Sequence, residues 1–202
     1  MIKVSTLTLS NKKPDIRYLN ELKSVLYDKA WAKKAKNFEV YFMFRGVKRK
    51  NGLRYDITLI PPKMLGKEFV KTKGHYHKGN FSEIYKVLEG KALYLMQKLK
   101  GGTENSIEDV YVVEAKKGDV VIIPPEYGHV TINPSRTQSL KMANWISEKC
   151  QSDYSLFEKM QGACYYFTQK GWIKNKNYKK VPKLRFEKPK NKMPKDLSFL
   201  KN

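Results

Sequence analysis

From Phe38 to Asn133 the chain is a series of short apolar-rich runs, each closed by Gly, Pro, Asn or charged residues. They are FEVYFMF (Phe38 to Phe44), LRYDITLI (Leu53 to Ile60), KEFVKT (Lys67 to Thr72), EIYKVLEG (Glu83 to Gly90), ALYLMQKL (Ala92 to Leu99), DVYVVEA (Asp109 to Ala115), GDVVIIP (Gly118 to Pro124) and HVTIN (His129 to Asn133). β-Branched and aromatic residues dominate them, which predicts strands whose side chains alternate between two faces. RKNG (Arg49 to Gly52) and KGGTEN (Lys100 to Asn105) have the Gly/Asn chemistry of hairpin connections. LKMANWI (Leu140 to Ile146) predicts a returning strand, DYSLFEKM (Asp153 to Met160) a short helix capped by Asp153, and CYYFTQKGWI (Cys164 to Ile173) a closing hairpin. Upstream the period changes. Leu19, Leu22, Val25, Leu26 and Trp31 recur at near-helical spacing, predicting one amphipathic helix between Arg17 and Ala35. The pattern is that of an all-β sandwich or barrel with a few peripheral short helices.

The 202 residues suit one domain, or one with a short appendage, and 41% apolar content supports a folded core. No apolar run approaches the roughly 20 residues that cross a bilayer. The opening MIKVSTLTLSNKK has no apolar core followed by small residues, so no secretory signal is expected. Two cysteines, Cys150 and Cys164, make neither a disulfide framework nor a zinc-type spacing. A cytoplasmic protein is expected.

Charge divides the chain. Lys and Arg number 41 against 19 Asp and Glu, a formal +22. The segment 170–202 holds twelve of the basic residues and two acids, with Pro182, Pro189 and Pro194 among them. It is expected to form the end of the closing hairpin and an extended or mobile Lys-rich tail, beside a main domain at 1–169 that includes the N-terminal helical extension. Only six of the basic residues are Arg, the side chain that reads base edges and holds phosphates bidentately. Lysine alone attracts polyanions without reading sequence, so neither specific nucleic-acid binding nor a membrane partner is expected.

All three histidines, His75, His77 and His129, lie in two strand-like segments, KGHYHKGNFSEIYKVLEG and GDVVIIPPEYGHVTIN. Residues i and i+2 of a strand share a face, so His75 and His77 can aim at one point. Glu83 follows a KGN turn that would return the chain beside the first strand, and His129 would complete the set. Three imidazoles and one carboxylate suit Fe(II), Mn(II), Zn(II), Ni(II) or Co(II), and leave open positions for a reacting ligand.

From His75 to Gly90 the chain reads H-x-H, five residues, Glu, six residues, Gly. From Gly118 to Asn133 it reads Gly, five residues, Pro, four residues, His, three residues, Asn. These blocks resemble the two signature motifs of the cupin superfamily, which implies a double-stranded β-helix, a jelly-roll-like barrel. Two features depart from the pattern: the gap between His77 and Glu83 is longer than usual, and Glu126 stands where the second motif often has Gly. The flanking TKGHYH (Thr72 to His77), EIYKVLEGKA and IPPEYGHVTIN, with GKEF upstream and DYSLFEKMQG downstream, are similar to the cupin-type glucose-6-phosphate isomerases of archaea and some bacteria. The likeness covers roughly Glu39 to Gly162.

That resemblance implies a metal-dependent aldose–ketose isomerase interconverting glucose 6-phosphate and fructose 6-phosphate. It implies a divalent metal, Fe2+ first with Zn2+, Mn2+, Ni2+ or Co2+ as the others, held by His75, His77, Glu83 and His129. Glu83 is the expected catalytic carboxylate. Thr58, Thr72, Gly74 and Tyr154 are the expected phosphate contacts, and Tyr85 a substrate contact. A homodimer is the expected assembly. Two other readings stay open: another metal-dependent cupin such as a dioxygenase or decarboxylase, and a non-catalytic sugar-binding cupin.

Overall fold

Turn chemistry sets the strand pairing. In the computed structural model, which describes residues 12–201, the chain reverses at Asn51 and Gly52, both at positive φ (52° and 75°), as a tight Asn-Gly turn requires. Residues 1–11 of the opening stretch read for a signal lie outside the described residues. Six strands join in one sheet: β1 (Asp15–Tyr18), β2 (Glu39–Lys50), β3 (Leu53–Ile60), β7 (Glu83–Glu89), β10 (Val120–Ile123) and β12 (Leu140–Ser147). Their lateral order is β1-β2-β3-β12-β7-β10. Facing it are β8 (Lys91–Leu99), β9 (Ile107–Lys116), β11 (Tyr127–Ile132) and β16 (Arg185–Glu187), ordered β11-β8-β9-β16. β6 (Tyr76–Lys78) pairs with β13 (Gln151–Asp153), and the short β4 (Met64–Leu65), β5 (Glu68–Phe69), β14 (Tyr165–Thr168) and β15 (Gly171–Lys174) make a further sheet. The all-β barrel with a few short helices expected from the sequence is present.

Alternation gives each large sheet an inside and an outside. On β2 and β3, Phe42, Phe44 and Ile57 pack into an outer apolar cluster with Ala143 of β12. The intervening Tyr41, Met43, Arg45, Arg54, Asp56 and Thr58 face a cavity inside the barrel. The main core fills the remaining interior with Tyr94, Leu95, Met96, Val110, Val112 and Ile123, all essentially inaccessible to solvent. No helix among the described residues is long and apolar enough to cross a membrane.

Three expectations are corrected. The single N-terminal helix is instead β1, α1 (Leu19–Leu22), a 3-10 turn at Lys23–Val25 and α2 (Lys29–Lys34). Leu26 is extended (φ −92°, ψ 147°), and Asp28 restarts the helix by accepting the Trp31 backbone N–H at 3.0 Å. Leu19, Leu22, Val25 and Leu26 are nonetheless fully buried, so burial rather than continuous helix produced their spacing. KEFVKT forms only the two-residue β5, because beyond Phe69 the chain meets its neighbour through separate contacts such as Lys71 opposite Ile132. Finally, β7 does not run back beside β6. It pairs with β10 and β12 in the opposite sheet, so the 79–82 loop carries the chain across the barrel.

Buried polar groups fasten the periphery to the barrel. The Glu68 carboxylate, wholly buried, accepts the Tyr27 backbone N–H at 2.6 Å and pairs with Lys71. Lys71 Nζ also donates to the Val25 carbonyl at 2.9 Å, holding the broken helical segment down. Past β15 the chain wraps the outside of the barrel. β16 runs parallel to β9, Lys190 bridges to Val120, and Leu200 is buried beside Leu53, Ile84 and Val120.

Candidate functional site

The barrel brings together the residues that sequence spacing grouped. His75 faces His129 across a bridge closed by two backbone hydrogen bonds, His129 N–H to His75 O at 3.0 Å and His75 N–H to His129 O at 3.3 Å. His77 lies two residues on, in β6. Glu83 enters from β7 in the other sheet, so the longer His77–Glu83 gap still delivers its carboxylate. One ligand atom from each of His75, His77, Glu83 and His129 lies within 4.8 Å of every other. The motif departure at Glu126 has a local cause: its φ is +65°, a conformation Gly adopts without strain.

This cluster fits a divalent metal. Nε2 of His77 and of His129 each sit 3.3 Å from Glu83 Oε2 but lack hydrogen-bond geometry, so three buried polar atoms converge without partners. Buried polar groups ordinarily find partners, and an unpaired buried charge is costly. Outer contacts fix the orientations. His77 Nδ1 is 2.9 Å from the Phe81 carbonyl, and Asn144 Nδ2 donates to Glu83 Oε1 at 2.6 Å. Such contacts leave His77 Nε2 and Glu83 Oε2 for a metal. Burial and neighbouring charges set the protonation states. Burial alone would raise the Glu83 pKa, but His129 and His77 overcome it and hold the carboxyl well below its ordinary value. His75 is pushed well below the usual imidazole range by burial and then by His129, and is thus kept neutral, the form that ligates.

A buried network supports His75 and His77 from behind. Tyr76, between His75 and His77, packs its ring against Phe157 with centroids 5.5 Å apart and presses on Gly128, where no Cβ would fit. Its hydroxyl accepts from Gln97 Nε2 at 2.9 Å. Gln97, fully buried, also donates to the Tyr178 hydroxyl at 3.1 Å and accepts the Cys164 backbone N–H at 2.8 Å.

The cluster opens on a small cavity inside the barrel. Thr58, Thr72, Gly74, Tyr85 and Tyr154 all line it together with His75, Glu83 and His129. Thr72 Oγ1 accepts the Thr131 backbone N–H at 3.0 Å, leaving its own hydrogen to donate. Gly74 has φ +84°, and a Cβ there would stand 2.6 Å from Phe157 and Val130. Tyr154 lies 5.5 Å from the His75 ring, centroid to centroid, with the Arg17 and Lys73 cations over its face. Lys73 itself pairs with Glu158 at 2.5 Å and does not line the cavity. The N-cap of α3 (Ser155–Lys159) is Tyr154 rather than the expected Asp153, whose carboxylate instead accepts the Ser155 N–H at 2.9 Å in a turn just ahead of the helix.

Sequence reasoning missed Tyr41, Arg45, Arg54, Asp56, Asn144 and Ser152, which also line the cavity. A parity signal was available: Arg54 and Asp56 share a strand face with Thr58, and Tyr41 and Arg45 alternate with the outward Phe42 and Phe44.

A family model described as glucose-6-phosphate isomerase matches residues 16–183. Curated relatives named glucose-6-phosphate isomerase include those of Thermococcus litoralis (33% identical, covering 62% of this chain and 65% of the relative) and Pyrococcus abyssi (32%, covering 64% and 68%). That of Thermococcus kodakarensis is 29% identical over 78% of this chain and 82% of its own. The match to the Thermococcus litoralis protein thus spans about two thirds of its length. Among solved structures, an oxalate oxidase aligns with TM-score 0.40 and 18% identity over 51% of this chain and 46% of the other. Tomato vicilin aligns with TM-score 0.40 and 12% identity over 55% and 30%. With 168 contiguous residues under one family model, this chain belongs to the glucose-6-phosphate isomerase family, in its cupin-type form.

Proposed function

We propose that this chain interconverts glucose 6-phosphate and fructose 6-phosphate. The observation that carries the reading is that His75, Glu83 and His129 of the four-residue metal-type cluster line one cavity with the hydroxyl-rich group Thr58, Thr72 and Tyr154 and with Gly74. A phosphate dianion entering a barrel needs donors, because burying it unpaired would be prohibitive. Thr58, Thr72 and Tyr154 supply hydroxyls, and Gly74 lets the backbone approach closely. Tyr85, on β7 two residues from Glu83 and on the same face, donates to a sugar hydroxyl. Its pKa lies far above the ordinary value because of burial and then the Glu83 charge, so it remains a donor.

The reaction moves the C2 hydrogen of the aldose to C1 and the O2 hydrogen to O1. Glu83 takes the proton from C2, the C1–C2 double bond forms as the carbonyl electrons pass to O1, and the proton returns at C1. A divalent metal held by His75, His77, Glu83 and His129 would supply Lewis acidity toward the sugar oxygens. Iron is the expected ion, and the ligand set also accepts zinc, manganese, nickel or cobalt. The Asn144 bond to Oε1 orients the Glu83 carboxylate for proton transfer. A homodimer is the expected assembly.

A coupled assay from fructose 6-phosphate to glucose 6-phosphate, with EDTA treatment and metal add-back, tests the reading. Activity lost to EDTA and restored by a divalent metal is expected. Glu83→Gln is expected to retain the fold and lose most turnover. Absence of turnover with every divalent metal, or near-wild-type activity in Glu83→Gln, overturns it.

A further inference from the structure

The cavity carries two cations that the proposed mechanism leaves unused. Arg45 and Arg54 are its only Lys or Arg lining residues among the described residues, in a chain where lysines outnumber arginines almost six to one. They share one buried acid. Arg54 Nε donates to Asp56 Oδ2 at 2.9 Å, Arg45 Nη1 is 3.8 Å from the same oxygen, and Asp56 Oδ1 accepts the Gly46 backbone N–H at 2.6 Å. Arg45 is further drawn outward by Asp15, 3.2 Å from its Nε. Arg54 has no such second acid. Its Nε is fixed, while its two Nη groups take no protein partner among the described residues, and its side chain is only 22% exposed.

Strand register places this guanidinium. Arg54 and Glu83 both pair with Ile146 of β12, one from each side, so they stand at one level of the sheet. Two strand spacings separate their backbones, about 10 Å, a gap that two inward side chains and one small ligand group can fill. Thr58 lies four residues along β3, about 13 Å away. The cation therefore belongs to the Glu83 end of the cavity, where the sugar reacts, rather than to the Thr58 end.

We propose that Arg54, braced by Asp56, holds the negative charge that develops on the sugar's O1–C1–C2–O2 unit. The proposal rests on the isomerase reading above. Removing the C2 proton sends electrons to O1, and the resulting planar unit matches the planar guanidinium fork in shape and charge. A fixed, partly desolvated donor aimed at that charge needs no reorganisation during reaction. The same geometry predicts a ligand preference: a sugar-acid phosphate whose terminal carboxylate imitates the planar anion should bind better than a sugar-alcohol phosphate of similar length.

The test uses the metal-loaded protein, with Arg54→Met and Arg54→Lys, and reads kcat, KM and inhibition by a five-carbon aldonic acid phosphate and a six-carbon alditol phosphate. Arg54→Met is expected to lower kcat about 100-fold while changing KM only about threefold or less, as for loss of one oxyanion donor. It should weaken the aldonate at least about tenfold and leave the alditol unchanged, whereas Arg54→Lys restores only part of both effects. Melting temperature and metal content are measured alongside. If Arg54→Met does not fold, the aldonate-to-alditol ratio in Arg54→Lys decides. Equal weakening of both inhibitors, or an unchanged kcat in Arg54→Met, overturns the proposal. A wild-type chain without turnover overturns the isomerase reading instead, so the two failures are distinguishable.

Discussion

Replacing Gln97 with Leu isolates the buried network behind His75 and His77. Leu fills much of the same volume but makes no hydrogen bonds. Three groups lose a partner: the Tyr76 hydroxyl, the Tyr178 hydroxyl and the Cys164 N–H. Tyr178 keeps its bond to the Gly162 carbonyl at 3.1 Å, so two groups are left unsatisfied in the interior. At about 1–3 kcal/mol for each, the loss is about 4 kcal/mol, a large part of a typical stability of about 5–15 kcal/mol. For a chain of this size that corresponds to a fall in Tm of roughly 8–16 °C. Calorimetry or chemical denaturation measures it directly. A double-mutant cycle sharpens the point, because Tyr76→Phe removes one orphaned group in advance and should make Gln97→Leu cheaper by about 1–2 kcal/mol. A Tm within about 2 °C of wild type, or strictly additive effects, would refute the assignment of these bonds to stability.

Gly74→Ala should fold poorly or lose phosphate-ester affinity, since its Cβ would meet Phe157 and Val130 at 2.6 Å from a backbone at φ +84°; a KM within twofold of wild type in the coupled assay would count against a close backbone approach. Alkaline pH should destabilise the fold. Burial, with the Glu83 charge added, raises the Tyr85 and Tyr94 pKa values above the ordinary 10. The folded state then keeps protons that the unfolded chain releases from about pH 10 upward, so their contribution is full below pH 10 and declines above it. Urea midpoints at pH 8 and pH 11 check this, and equal midpoints would contradict it.

Much of the barrel was legible because its strands are edged by residues with a single geometric use. β3 runs from Leu53 to Ile60 as expected, since Asn51-Gly52 fixes where it starts. The metal-type cluster was legible because only three histidines had to be placed. What period alone could not supply was the partner. KEFVKT has a strand's composition, yet a strand needs a continuous neighbour, and past Phe69 only single bridges are available. The 79–82 loop looked like a hairpin connection but crosses between sheets, which no local rule distinguishes. The apolar spacing from Leu19 to Trp31 satisfied a helix template, while Leu26 and Asp28 interrupt the backbone without disturbing burial. The cavity arginines went unremarked because composition drew attention to lysine.

The lateral order of the six-stranded sheet has a kinetic consequence. β12 lies between β3 and β7, so Glu83 and the Asn144 amide that orients it, 61 residues apart, meet only after distant strands have found each other. Pairings of this separation are slow to form, since loop-closure entropy must be overcome before contact is made. The ligands are divided likewise, with His75 and His77 on one side of the barrel and Glu83 on the other. A refolding chain therefore has no assembled chelate to offer until the barrel closes. Restoration of the four-residue cluster should coincide with the last folding phase, so metal uptake during refolding becomes a clock for barrel closure.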